Sequence, residues 1–134
     1  MAKTPLKVSP PDSASVIETY RTEASSRPDD LQPQIDLGWG LYGGGQYAEA
    51  AEQFKRVLGL SRDAVDALYG LGLSYKALGN KEAAVDAFEK VSALADQLED
   101  KVRGTMLRRL SRGQVNEMNS GDWNLEKEIW QRES

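Results

Sequence analysis

Residues 47–60, YAEAAEQFKRVLGL, place Tyr47, Ala50, Ala51, Phe54, Val57 and Leu58 at spacings of three and four, which gathers them on one face of a helix. Further along, Ala84, Ala87, Phe88, Val91 and Leu94 draw the same stripe. The correspondence is wider than the stripe. Leu37 and Leu71, Gly38 and Gly72, Gly45 and Gly79, Ala50 and Ala84, Phe54 and Phe88, Val57 and Val91, and Leu60 and Leu94 all stand 34 positions apart. Average residue usage gives only about two such identities by accident over a comparable stretch. Gly79 suits the left-handed end of a helix and Asn80 suits the cap of the next. The pattern therefore predicts units of two helices joined by a tight turn, with no run of strands.

These residues resemble the tetratricopeptide repeat family, known for a 34-residue helix-turn-helix with Leu-Gly and an aromatic on the first helix and Ala and an aromatic on the second. Leu68-x-x-Leu71-Gly72-x-x-Tyr75 followed by Ala84-x-x-x-Phe88 fits the pattern. The preceding unit keeps Leu37-Gly38 and Ala50-x-x-x-Phe54, while Gln34 and Leu41 replace the large apolar and the aromatic residue; that exchange is expected to loosen its first helix. Backwards, Tyr20 lies 34 residues before Phe54 and Pro28 falls where the family ends a repeat. Forwards, only Gly113 keeps the turn position, whereas Gly121-Asp122-Trp123 resembles the family's Gly-Asp-Tyr turn and lengthens the preceding helix by about two turns; the second placement is preferred. The resemblance implies an all-α superhelix. Its parts are a flexible tail over 1–12, a half repeat over 13–30, repeats over 31–64 and 65–98, and degenerate capping helices over 99–134.

Composition narrows the chemistry. The 134 residues are 40% hydrophobic and 28% charged, enough for one buried core. There is no histidine and no cysteine, which removes thiol nucleophiles, imidazole bases and metal centres built on those ligands. Asp29-Asp30, Glu99-Asp100 and Glu126-x-Glu128 fall at turns or helix starts, where carboxylates are solvated and favoured by the helix dipole. Gly38-x-Gly40-x-x-Gly43 has the letters of a dinucleotide fingerprint, but Gln32-Pro33-Gln34 stands where the fingerprint needs a strand. The expectation is a protein that is not an enzyme, with no cofactor and no small-molecule substrate. A net charge of -4 disfavours nucleic acid. The absence of a leader-like or membrane-length apolar run makes a cytoplasmic location the expectation.

The first helices carry two apolar lines each. Leu37 and Leu41, like Leu68, Leu71 and Tyr75, pack towards the second helix; Ile35, Trp39 and Tyr42, like Tyr69 and Leu73, form a separate line. The family resemblance implies that this separate line faces a concave groove that receives a partner's peptide or helix. Carried over, the partner-binding positions are Gln32, Ile35, Trp39, Tyr42, Asp66, Tyr69, Leu73 and Lys76. The family's carboxylate clamp has no counterpart, because Ile35 and Trp39 occupy two of its polar positions. Recognition is then mainly apolar, with Lys76 as a polar contact, and the protein reads as an adaptor or assembly factor. The competing reading is a structural subunit whose groove is filled by a second copy, or by its own last helix with Trp123, Leu125, Ile129 and Trp130. Lastly, Lys101, Arg108, Arg109 and Arg112 gather on one side of a helix of about 100° per residue, opposite Val102, Met106 and Leu110. That side reads as a solvated face open to an acidic partner, an anionic membrane surface or RNA.

Overall fold

The computed structural model describes residues 13–123. Within them the chain forms six helices and no strand: α1 (Ser13–Ser26), α2 (Leu31–Gly43), α3 (Tyr47–Leu60), α4 (Val65–Ala77), α5 (Lys81–Ala95) and α6 (Lys101–Ser120). The proposed tail, residues 1–12, and residues 124–134 lie outside the described part. Each helix packs on the next in sequence, and α2 also packs on α4, which is the contact pattern of a helical-repeat solenoid.

The turns follow from the glycines. Gly45 and Gly79 have φ of 79° and 80°, a region that costs a side-chain-bearing residue strain. The Gly79 N–H donates to the Lys76 carbonyl and the Asn80 N–H to that of Tyr75; Gly45 and Gln46 do the same to Tyr42 and Leu41. Paired bonds of this kind satisfy the last carbonyls of a helix while the chain reverses. Asn80 then accepts from the Ala83 N–H at 3.3 Å and caps α5, as Asp100 accepts from Arg103 at 3.0 Å and caps α6. Helix α6 runs 20 residues through Gly113 and ends at left-handed Gly121, so the later of the two candidate turns is the one adopted.

The core comes in two adjoining clusters. Ile17, Leu37, Leu41, Phe54, Val57 and Leu71 anchor the first; Val65, Leu68, Val91, Ala95 and Leu107 form the second; Leu58 packs against both. Phe54 is wholly buried and its ring lies against Gly38 of α2 and Gly70 of α4. A methyl group on Gly38 would stand 2.5 Å from the ring, so these helices approach as closely as they do because nothing projects there. Phe88 sits against Gly72 in the same way, and Tyr20 of α1 against Gly40. Two of the three glycines that spell a dinucleotide fingerprint, Gly38 and Gly40, thus serve helix packing, while Gly43 faces open space.

The expected loosening at Gln34 is not what the structure shows. Gln34 is 2% exposed, and its Nε2 donates to the Ala24 and Arg27 carbonyls at 2.9 and 3.2 Å. Gln53 of α3 donates both to the Gln34 carbonyl and to its Oε1, at 2.9 and 3.0 Å. A buried amide with its capacity used in this way ties α1, α2 and α3 together. Leu41, in place of the aromatic, is buried as well.

Candidate functional site

The eight positions assigned to a partner-binding face divide between α2 and α4. On α2, Ile35, Trp39 and Tyr42 are half-buried and pack on the first core cluster, while Gln32 is exposed and donates to Asp36 at 2.8 Å. Trp39 meets Phe54 edge-on at 5.1 Å and Tyr42 at 6.1 Å, and Tyr42 in turn meets Tyr47 at 5.3 Å. Such edge and tilted contacts are the favourable geometries for rings, and they hold the row in place. The Tyr42 hydroxyl has its pKa raised, first by burial and then by the negative charge that Tyr47 and Tyr69 would carry. Helices α2 and α4 pack on one another, which brings the two rows together.

On α4, Tyr69 packs against Phe88 at 5.4 Å and Leu73 is half-buried. The polar members of this row are already engaged, and their partners are on α6. Asp66 pairs with Arg103 at 2.7 Å. Lys76 donates to Gln114 at 2.7 Å and pairs with Glu117 at 3.1 Å, and Gln114 donates to the Tyr69 hydroxyl at 3.2 Å. Arg103, Gln114 and Glu117 went unrecognised in the sequence as members of this face, because α6 is seven residues longer than α4 and breaks the 34-residue register.

The basic side of α6 also resolves differently. Arg108 pairs with Asp96 at 3.1 Å and, with Arg112, lines a groove against Glu89 and Ser92 of α5. Lys101 and Arg109 point elsewhere, onto an open cavity of about 620 Å³ that they share with Val102, Thr105, Met106 and Leu110. Val102 and Met106 are 80% and 53% exposed, so the apolar residues expected opposite the basic cluster stand on the outer face with half of it. The inner face of α6 is made instead by Gly104, Leu107, Ser111 and Gln114. Gly104 lies directly on the Ala95 carbonyl, and small residues at such points decide which side of a helix can come close.

Among the described residues no cluster of three or more potential metal ligands occurs, and no helix is long and apolar enough to cross a membrane. Comparison with curated proteins gives no match. Residues 35–98, which hold α3, α4, α5 and most of α2, match a family model described as Tetratricopeptide repeat. With its paired helices, left-handed glycine turns and buried Phe54 and Phe88, this stretch of the chain is built of tetratricopeptide repeats.

Proposed function

We propose that this protein is a binding module whose concave face, built by α2 and α4, holds an apolar segment of another protein. Tetratricopeptide repeats generally mediate protein–protein interaction. The observation that carries the finer reading is the row of Ile35, Trp39 and Tyr42, half-exposed but braced from behind by Phe54 and Tyr47. Rings that are already packed edge-on against one another lose little freedom when a ligand covers them, so more of the buried area appears as affinity. Leu73 continues this row on α4, and Gln32 supplies an exposed amide at its edge.

The role of Lys76 changes in this picture. Its bonds to Gln114 and Glu117 make it a spacer between α4 and α6 before it is a ligand contact. An adaptor or assembly-factor role follows, with recognition carried by apolar side chains. The competing role, a structural subunit, draws on the same bonds, since α6 already covers the polar part of the α4 row.

Titration of the isotopically labelled full chain with a panel of capped apolar peptides, helical and extended, tests the proposal by nuclear magnetic resonance. Shifts should concentrate at Ile35, Trp39, Tyr42 and Leu73, and Leu73→Glu should weaken binding at least about ten-fold, some 1.4 kcal/mol. Shifts confined to the outer sides of α3 and α5 would sink the reading.

A further inference from the structure

The aromatic residues of the α2–α4 face carry polar atoms that the fold leaves unused. Trp39, Tyr42, Tyr47 and Tyr69 are all half-buried. Among the described residues nothing accepts a hydrogen bond from the Trp39 indole N–H or from the Tyr42 and Tyr47 hydroxyls. Gln114 donates to the Tyr69 oxygen at 3.2 Å, which leaves that hydroxyl's own hydrogen without an acceptor as well. Carbonyls inside α2 and α4 serve the helices themselves. The face therefore offers hydrogen-bond donors set among rings. It is also electrically quiet. Ile35, Trp39 and Tyr42 carry no charge, and the charges beside them are paired with one another, Asp66 with Arg103 at 2.7 Å and Lys76 with Glu117 at 3.1 Å.

We propose that the partner segment held on this face is proline-rich and uncharged, and is bound as a polyproline II helix. This rests on the binding-module reading and narrows its ligand. Proline has a carbonyl but no N–H, and in a polyproline II helix that carbonyl makes no internal bond. Such a segment supplies acceptors and brings no donors of its own. An amphipathic helix keeps its carbonyls for itself, so it would cover these donors without satisfying them. An ordinary extended chain brings N–H groups for which the face holds no backbone acceptor. Charge complementarity agrees, because a face whose charges are already neutralised has none to offer an acidic or basic ligand. The rings fit as well. Trp39 and Tyr42 stand at 85° with centroids 6.1 Å apart, and Tyr42 and Tyr47 at 58° and 5.3 Å. Crossed rings make a ridged surface, and one turn of polyproline II, about 9 Å, is comparable to the reach of three rings so spaced. The ligand arrives stiff, so little freedom is lost on either side.

The test is nuclear magnetic resonance titration of the labelled full chain with a capped oligoproline of about eight residues. A capped leucine–alanine helix and a capped alanine–valine extended peptide serve as comparators. Oligoproline should shift the Trp39 indole and the Tyr42, Tyr47 and Tyr69 signals, and bind at least about ten-fold more tightly than either comparator. Tyr42→Phe with Tyr47→Phe keeps both rings and removes both hydroxyls. The double variant should weaken oligoproline at least about five-fold while changing the comparators less than about two-fold. Equal loss for all three peptides would overturn the inference. Comparators binding the same residues as tightly as oligoproline would also overturn it while leaving the binding-module reading standing, whereas silence of this face towards every peptide would overturn both. Changing Pro5, Pro10 and Pro11 to Ala in the peptide-free chain should leave Trp39 and Tyr42 unshifted. Shifts there would hand the face to the chain's own amino-terminal segment and overturn the assignment to a partner.

Discussion

Between α2 and α4 the chain places an aromatic ring against two glycines, and between α4 and α6 it places a ladder of charged and amide side chains over Leu68 and Leu107. The first seam is dry: Phe54 is wholly buried, and its contact with Gly38 and Gly70 leaves no room for another atom. The ion pairs of the second seam are wet, with Asp66, Arg103 and Glu117 over two-fifths exposed and Lys76 nearly a third. Ring-on-glycine packing draws on buried area and is indifferent to salt, whereas exposed ion pairs contribute little each and are screened. The difference teaches that the first seam sets how far apart successive units stand, while the second fixes their register at small energetic cost.

The comparison breaks most visibly at Phe54. Phe54→Ala empties the first seam and should lower stability by about 3–5 kcal/mol in chemical denaturation. A loss under about 1 kcal/mol would mean the seam is not closed by the ring. Gln34 sharpens the contrast from the polar side, because it is a polar tie that is buried. Gln34→Ala leaves the Ala24 carbonyl without its donor and Gln53 with one acceptor fewer, so a loss of about 1–3 kcal/mol is expected, little altered by salt. The second seam should respond more weakly. Asp66→Ala and Lys76→Ala should each cost about 0.2–1 kcal/mol, with the difference from the parent shrinking at high salt. A salt-insensitive loss as large as that at Gln34 would show that the second seam is dry after all.

The smallest effect is one of pH. Burial, then Tyr47 and Tyr69, raise the Tyr42 pKa above 10.0, and the hydrogen bonds to Tyr75 and Glu52 raise that of Lys55 above 10.5. Folded protein therefore holds these protons where the unfolded chain has released them. The stability they contribute is fully present below those ordinary values and is lost as pH rises through the folded ones. Tyr42→Phe should remove one late-titrating phenol from the ultraviolet titration and lessen the alkaline loss.

How much of this was legible in the sequence depends on whether a residue repeats. Phe54, Phe88, Gly38, Gly72 and the turn glycines recur at 34 residues because each solves the same packing problem twice, and repetition exposes such residues without coordinates. Gln34 has no counterpart. Its value lies in the Ala24 and Arg27 carbonyls at the end of α1 and in Gln53 one helix on, and nothing in the local pattern announces those partners. Gly70 was missed because its counterpart in the preceding unit is Asp36, though it shares Phe54 with Gly38. On α6 the wheel correctly separated Val102 and Met106 from Arg108, but polarity alone could not say which side meets α5. Gly104 and Ser111 carried that signal, as the small residues that permit close approach.

The placement of Phe54 reaches beyond stability. A ring clasped by glycines from two successive units is a shim of fixed thickness, and a solenoid's curvature is the sum of small rotations from one unit to the next. Thickening the shim, for instance with Gly70→Ala, would tilt α4 away from α2 even where the chain still folds. The arc along which Trp39, Tyr42 and Leu73 are displayed would then open or tighten, so the shape of that face is set by the gauge of one side chain buried behind it.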